Sequence, residues 1–348
     1  MNQDPKIITI ADYFLKFSDL QIIDVRSPGE FEKGHIPRAN SIPLFTDEER
    51  AKVGTAYTRQ SKEIAMNIGI KFVRPKLQNF VDESRKIAPV GKVIVHCWRG
   101  GMRSASFARH LTENGFSEVY LIEGGYKFYR QYVHQFFEHP FHLNIIGGYT
   151  GSSKTRILEI LREKEQQVID LEGIAHHRGS AFGGISMGKQ PSVEQFENNL
   201  HEEMRHIQID RPIWMEDESY HIGSVFVPKA LFDQMEASRV FFLNIPRVER
   251  AKYLVLEYAG LDKAELAYSI QRIEKRLGFD QAKMAQEFLQ KEDFFNVAMI
   301  TLKYYDKFYL RGLSRRDPQK IMQIAFETIN HKEIAKSLLN IINNESGS

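Results

Sequence analysis

Cysteine is almost absent: the chain has a single one, at position 97 of 348 residues. That excludes an internal disulfide and any zinc site built on a pair of cysteines, and it points to a reducing, cytoplasmic setting. Long apolar stretches are missing too. No run of 18 apolar residues occurs, and "MNQDPKIITIADYFLKF" has no apolar core followed by small residues. Neither a membrane span nor a signal peptide is therefore expected. Short-period repeats and low-complexity tracts are lacking. Net charge is nearly absent as well, with 47 Lys and Arg against 45 Asp and Glu.

What is present is an ordinary enzyme composition, 42% hydrophobic and 26% charged, in a chain long enough for two domains. The charge is unevenly spread. Between Ala51 and His110 there are 12 Lys and Arg and 3 Asp and Glu, a net +9, which suits either a polyanion or a solvated face.

The apolar runs "LQIIDVR", "KVIVHC" and "EVYLIEG" read as buried strands separated by helical patterns, as in a parallel α/β sheet. After an aromatic stretch ending near Phe141, "FHLNIIGG", "QQVIDLEG", "RPIWMEDES" and "RVFFLNIP" repeat the alternation. The expected division is 1–138 and 139–348. From Glu249 onward the pattern is helical; Asp262 with Glu265 marks one helix start and Gly278 its end.

Two loops carry chemistry. In "VIVHCWRGGMRS", Cys97 ends a strand and five residues separate it from Arg103, where a helix begins. Backbone N–H groups, including those of Gly100 and Gly101, and the helix N-terminus can cradle an anion. The same field, with Arg99 and Arg103 nearby, favours a reactive sulfur. Glycines and arginines, not an apolar shell, are expected around Cys97. The second loop, "IIGGYTGSSKTRIL", has the strand, loop and helix order of a P-loop. Gly148, Gly151, Ser152, Lys154 and Thr155 fit a pyrophosphate cradle, but Ser153 stands where G-x-x-x-x-G-K-[ST] has its second glycine.

Further candidates are less specific. Asp217, at an acidic strand end, could support a metal or water or face solvent, so a magnesium requirement stays open. His177 and Arg178 lie in a polar loop suited to phosphate or base contacts. Arg247 and Arg250 could close over a phosphate or cap a helix. "LKYYDKFYLRGLSRR" fits RNA stacking or a packed core.

"IIDVRSPGEFEKGHIPRANSIPL" followed by "VIVHCWRGGMRS" resembles the rhodanese domain. Asp24, Arg26, Glu30 and His35 then read as structural. The Cys-x5-Arg length resembles that of dual-specificity phosphatases and admits a tetrahedral group such as phosphate or selenophosphate. The rhodanese pattern followed by "DLEGIAHHRGSAFG", "WMEDES" and "YYDKFY" resembles the tRNA 2-selenouridine synthase family over nearly the whole chain. That resemblance implies a rhodanese-like parallel sheet, then a P-loop NTPase-like α/β domain with a helical C-terminal part. It also implies selenation of wobble 2-thiouridine in tRNA by selenophosphate through a geranylated intermediate made from geranyl diphosphate, with a selenophosphate-supplying enzyme as a further partner and no membrane. A phosphatase or thiosulfate sulfurtransferase fused to a phosphate-binding domain, and a noncatalytic RNA-binding module, are the alternatives.

Overall fold

The computed structural model describes residues 4–258 and 260–346. The chain divides into two compact units, Met1–Phe136 and Phe137–Ser348.

The first unit is a five-stranded parallel sheet in the order β1-β5-β4-β2-β3. Its strands are β1 (Lys6–Ile8), β2 (Gln21–Asp24), β3 (Asn40–Ser41), β4 (Lys92–His96) and β5 (Glu118–Ile122). Central strands of such a sheet are covered on both faces and read as continuous apolar runs. Accordingly Val93, Ile94 and Val95 of β4 are fully buried. Between β3 and β4 lies a pair of helices, Asp47–Arg59 and Lys62–Val73.

The second unit contains β6 (Leu143–Gly148), β7 (Gln167–Ile169), β8 (Ile213–Glu216), β9 (His221–Ile222), β10 (Val225–Phe226), β11 (Arg239–Asn244) and β12 (Ile321–Ala325). Five of these form a parallel sheet ordered β12-β11-β6-β8-β7, while β9 and β10 pair as a small antiparallel ribbon. The helix Lys154–Glu163 follows β6. Its Ile157, Leu158, Ile160 and Leu161 are buried, the i, i+3, i+4 stripe of an amphipathic helix. That stripe shares a core with Ile334, Ala335 and Leu338 of the C-terminal helix His331–Ser346. A separate helical core joins 247–258, 263–277, 279–290 and 294–313. Asp262 caps the second of these through the N–H groups of Ala264 and Glu265, and Gly278 ends it.

The C-terminal part is helical as expected, with one strand, β12, set within it. "IMQIA" follows a long helix and pairs only with β11, so its strand character comes from a distant neighbour rather than from its own pattern.

Candidate functional site

Cys97 leaves β4, and Gly101 caps the helix Met102–Glu113. The carbonyl side of this loop is pinned from behind. The N–H of Tyr126 donates to the Cys97 carbonyl and that of Lys127 to the Trp98 carbonyl, each at 2.9 Å. Only glycine permits this approach. A Cβ on Gly125 would lie 2.3 Å from the Cys97 oxygen and 2.5 Å from the Gly100 nitrogen, and Gly125 has φ +59°. Among the described residues, no turn or loop hydrogen bond uses the N–H of Trp98, Arg99, Gly100 or Gly101. The loop thus engages two of its carbonyls with the scaffold and leaves these N–H donors without a backbone acceptor.

The sulfur's surroundings differ from expectation. Cys97 is 3% exposed and belongs to the apolar core with Val93, Val95, Phe107 and Ala108. Its polar contact is the Ser104 hydroxyl, 3.2 Å from Sγ, which also donates to the Gly101 carbonyl at 3.1 Å. Arg99 is exposed. Arg103 donates to Glu30 at 2.9 Å, and Arg50 reaches the same carboxylate oxygen at 2.9 Å. Arg99 is thus turned to solvent and Arg103 is paired with Glu30 rather than with sulfur.

Beneath the loop, Arg26 clasps Asp24 (Nη2 to Oδ2, 2.6 Å), donates to the Gly34 carbonyl at 2.7 Å and lies 3.8 Å over the Tyr126 ring. Burial would raise the Asp24 carboxyl; His96 and Arg26 outweigh that and hold it below the usual carboxylate range. His96 is fully buried beside this pair. Burial pushes its pKa down against the opposing pull of Asp24. Glu30 completes a capping box with Ser27, and His35 bonds the Phe31 carbonyl at 2.9 Å. Asp24, Arg26, Glu30 and His35 therefore hold the scaffold, as their motif implies.

In the second unit, Gly148, Gly151, Ser152, Ser153, Lys154 and Thr155 wrap one loop between β6 and the following helix. Lys154 Nζ lies 3.5 Å from the Gly148 carbonyl oxygen, and the Thr155 hydroxyl donates to Glu172 at 3.1 Å. Ser153 adopts φ +57°, ψ 36°, a left-handed conformation that costs a non-glycine residue about 1–2 kcal/mol. Its hydroxyl is hydrogen-bonded to His331 Nε2 at 2.8 Å.

Arg250 and Asp217, offered by the sequence as lid and metal support, are built into the frame. Arg250 is 2% exposed. It donates to the Thr150 carbonyl at 3.0 Å and to both oxygens of Asp306. Asp217 accepts from Tyr309 at 2.6 Å and Arg316 at 2.5 Å, and Tyr309 in turn accepts the Gly148 N–H at 3.0 Å. Arg247, more exposed, also donates to Asp306, at 2.9 Å. The "YYDKFY" segment thus places Asp306 and Tyr309 against the loop rather than in solvent. Tyr305 accepts the Ala181 N–H at 3.0 Å.

That last contact anchors the polar loop carrying His177 and Arg178, which is less free than its composition implies. Phe182 and Ile185 are buried in the helical core. His177 is buried, and burial plus Arg272 push its pKa down. Arg178 is half exposed, 3.4 Å from Glu257.

Three acids gather on this side of the loop: Glu172 bonded to Thr155, Glu218 within the field of Lys154, and Glu216, which accepts the Glu172 N–H. Glu216 is 1% exposed; burial, then the charges of Asp170 and Glu172, hold its carboxyl well above the usual range. Burial and Glu172 do the same to Glu218 against the pull of Lys154. Among the described residues no group of three or more His, Cys, Asp and Glu is arranged to hold a metal ion. Hard oxygen donors suit magnesium, but it would need phosphate oxygens to complete its shell.

Asp306, Tyr309, Gly125, Glu172 and His331 were not singled out as site residues in the sequence. Tyr305 and Tyr309, one helical turn apart beside Asp306, carried the one readable signal; His331 carried none, lying 178 positions from its partner.

Residues 141–338 match the family described as tRNA 2-selenouridine synthase AAA domain, and residues 11–131 match the rhodanese-like domain. A protein from Nitrosomonas europaea named tRNA 2-selenouridine synthase is 32% identical over 90% of this chain and 94% of its own length. One of the same name from Hydrogenovibrio crunogenus is 34% identical, covering 84% and 88%. A third, from Shewanella pealeana, is 38% identical over 76% and 72%.

Proposed function

The chain belongs to the tRNA 2-selenouridine synthase family, and from that premise we propose that it is a tRNA-modifying transferase exchanging sulfur for selenium at wobble 2-thiouridine. The observation that supports this reading most is the pairing, in one chain, of a cysteine loop with unspent N–H donors and a phosphate loop carrying Lys154 and Thr155.

In this reading the second unit binds the diphosphate of geranyl diphosphate. The thiouridine sulfur attacks the allylic carbon, that carbon's bond to oxygen breaks, and Lys154 with the loop N–H groups stabilises the departing diphosphate. Geranylation turns the sulfur into a better leaving group. Selenophosphate then attacks C2 through selenium and geranylthiol departs. Water at phosphorus releases phosphate and leaves 2-selenouridine. The Cys97 loop holds the tetrahedral anion during these steps. For tRNA, the exposed Lys52, Arg59, Lys62 and Lys71 of the helix pair, with Arg74 just after it, supply phosphate contacts.

The test is uncoupling of the two half-reactions. Lys154→Ala is expected to impair geranylation first, and Cys97→Ser to abolish selenation while sparing it. Full geranylation by Lys154→Ala would remove the assigned role of the second unit. A thiosulfate sulfurtransferase would have no use for that unit, and a Cys-x5-Arg phosphatase would need Arg103 on its phosphate, where Glu30 holds it instead.

A further inference from the structure

We propose that His331 is a positioning residue for the phosphate loop, holding Ser153 in the left-handed turn that a glycine would adopt unaided. The inference rests on the diphosphate reading above. It starts from the sequence departure: serine replaces the second glycine of the loop pattern, yet the backbone keeps φ +57°. A serine so placed has right-handed and extended alternatives of lower intrinsic energy. Something must hold it.

The structure supplies the holder. His331 Nε2 lies 2.8 Å from the Ser153 hydroxyl. The Tyr253 ring meets the imidazole edge-on at 5.9 Å, and its hydroxyl is fixed by Glu257 at 3.2 Å. His331 is the first residue of a helix whose Ile334, Ala335 and Leu338 pack against Ile157, Leu158 and Leu161. Those residues belong to the helix that Lys154 opens. One packing interface therefore fixes both the phosphate-binding lysine and the imidazole that sets the turn before it. Burial and the nearby Arg156 push the His331 pKa down, against Glu159.

Without this bond the binding-competent turn becomes one conformation among several, and apparent affinity falls by the lost fraction. The test is calorimetric titration of the full chain with inorganic pyrophosphate. His331→Ala is expected to bind roughly tenfold more weakly, in line with the cost of a left-handed non-glycine residue. Adding Ser153→Gly to His331→Ala should restore affinity, because glycine takes the turn without support. His331→Gln, which keeps a hydrogen-bonding end, should lie between. Unchanged affinity in His331→Ala while Lys154→Ala loses pyrophosphate, or failure of the glycine to rescue, overturns the proposal.

A second readout separates this idea from the diphosphate reading. Amide exchange at Lys154 and Thr155 should quicken in His331→Ala and slow again in the glycine double variant. If no variant, Lys154→Ala included, differs from wild type with pyrophosphate while exchange follows this pattern, the ligand is wrong and the positioning role stands. Equal exchange in all variants rejects the role itself.

Discussion

Arg250 and Asp306 meet in a two-pronged ion pair beneath the phosphate loop, Nη1 to Oδ1 at 2.9 Å and Nη2 to Oδ2 at 3.1 Å. The same guanidinium donates to the Thr150 carbonyl at 3.0 Å, so the loop is tied to the helix 294–313 through a buried charge. Removing one partner strands the other, at a cost of about 3–5 kcal/mol. Arg250→Ala is expected to lose that much in urea unfolding. Arg250→Lys should recover little of it, since an ammonium cannot span both oxygens and the carbonyl. A loss under about 1 kcal/mol would mean the pair is solvated and the loop is held otherwise.

Gly125→Ala should cripple the cysteine loop. The added methyl would meet the Cys97 carbonyl at 2.3 Å, in a backbone region that disfavours side chains. Loop or helix must then move. The expected result is a lower melting temperature together with loss of Cys97-dependent selenation. Gly101→Ala, where a Cβ meets nothing within 4 Å, serves as the tolerant control.

This contrast shows what the sequence could and could not disclose. The buried parallel strands, both loops and the Asp262 helix start were legible, because period, capping residues and loop chemistry are local. Gly124 and Gly125 were visible as punctuation before a helix, but nothing local tells that Gly125 is the floor of a loop around residue 97. Asp217 looked like a metal or water ligand because strand-end acids often are. Its actual partners, Tyr309 and Arg316, are 92 and 99 positions away. The core position of Cys97 is obscured by the loop residues Arg99, Gly100 and Gly101 that follow it, while Phe107 and Ala108, which share its core, lie on the next helix.

Glu216 predicts a pH dependence. Its folded-state pKa is raised, so the folded chain keeps a proton that the unfolded chain releases above the ordinary value of 4.5. Stability from this group is present in full below that value and is lost as pH rises toward the raised one. Glu216→Gln removes the titration and retains an acceptor for the Glu172 N–H. Melting temperatures of wild type and variant should therefore diverge in favour of the variant as pH rises above the ordinary value of 4.5. Parallel curves would show that the carboxyl is already ionised in the folded state.

The basic helix pair predicts a salt signature. Arg59 and Lys62 are exposed at the turn joining its two helices. If each contacts a phosphate, replacing both with alanine lowers the slope of log affinity for tRNA against log salt by about two. An unchanged slope would place the tRNA backbone elsewhere.

Nucleoside mass spectrometry tests most directly whether one chain performs both half-reactions. tRNA carrying 2-thiouridine is incubated with the protein and geranyl diphosphate, then with selenophosphate. The expected result is a geranylated 2-thiouridine that converts to 2-selenouridine, with conversion lost in Cys97→Ser. Neither nucleoside appearing, while an aryl phosphate is hydrolysed in a Cys97-dependent way, would contradict the account and make the cysteine loop a phosphatase site.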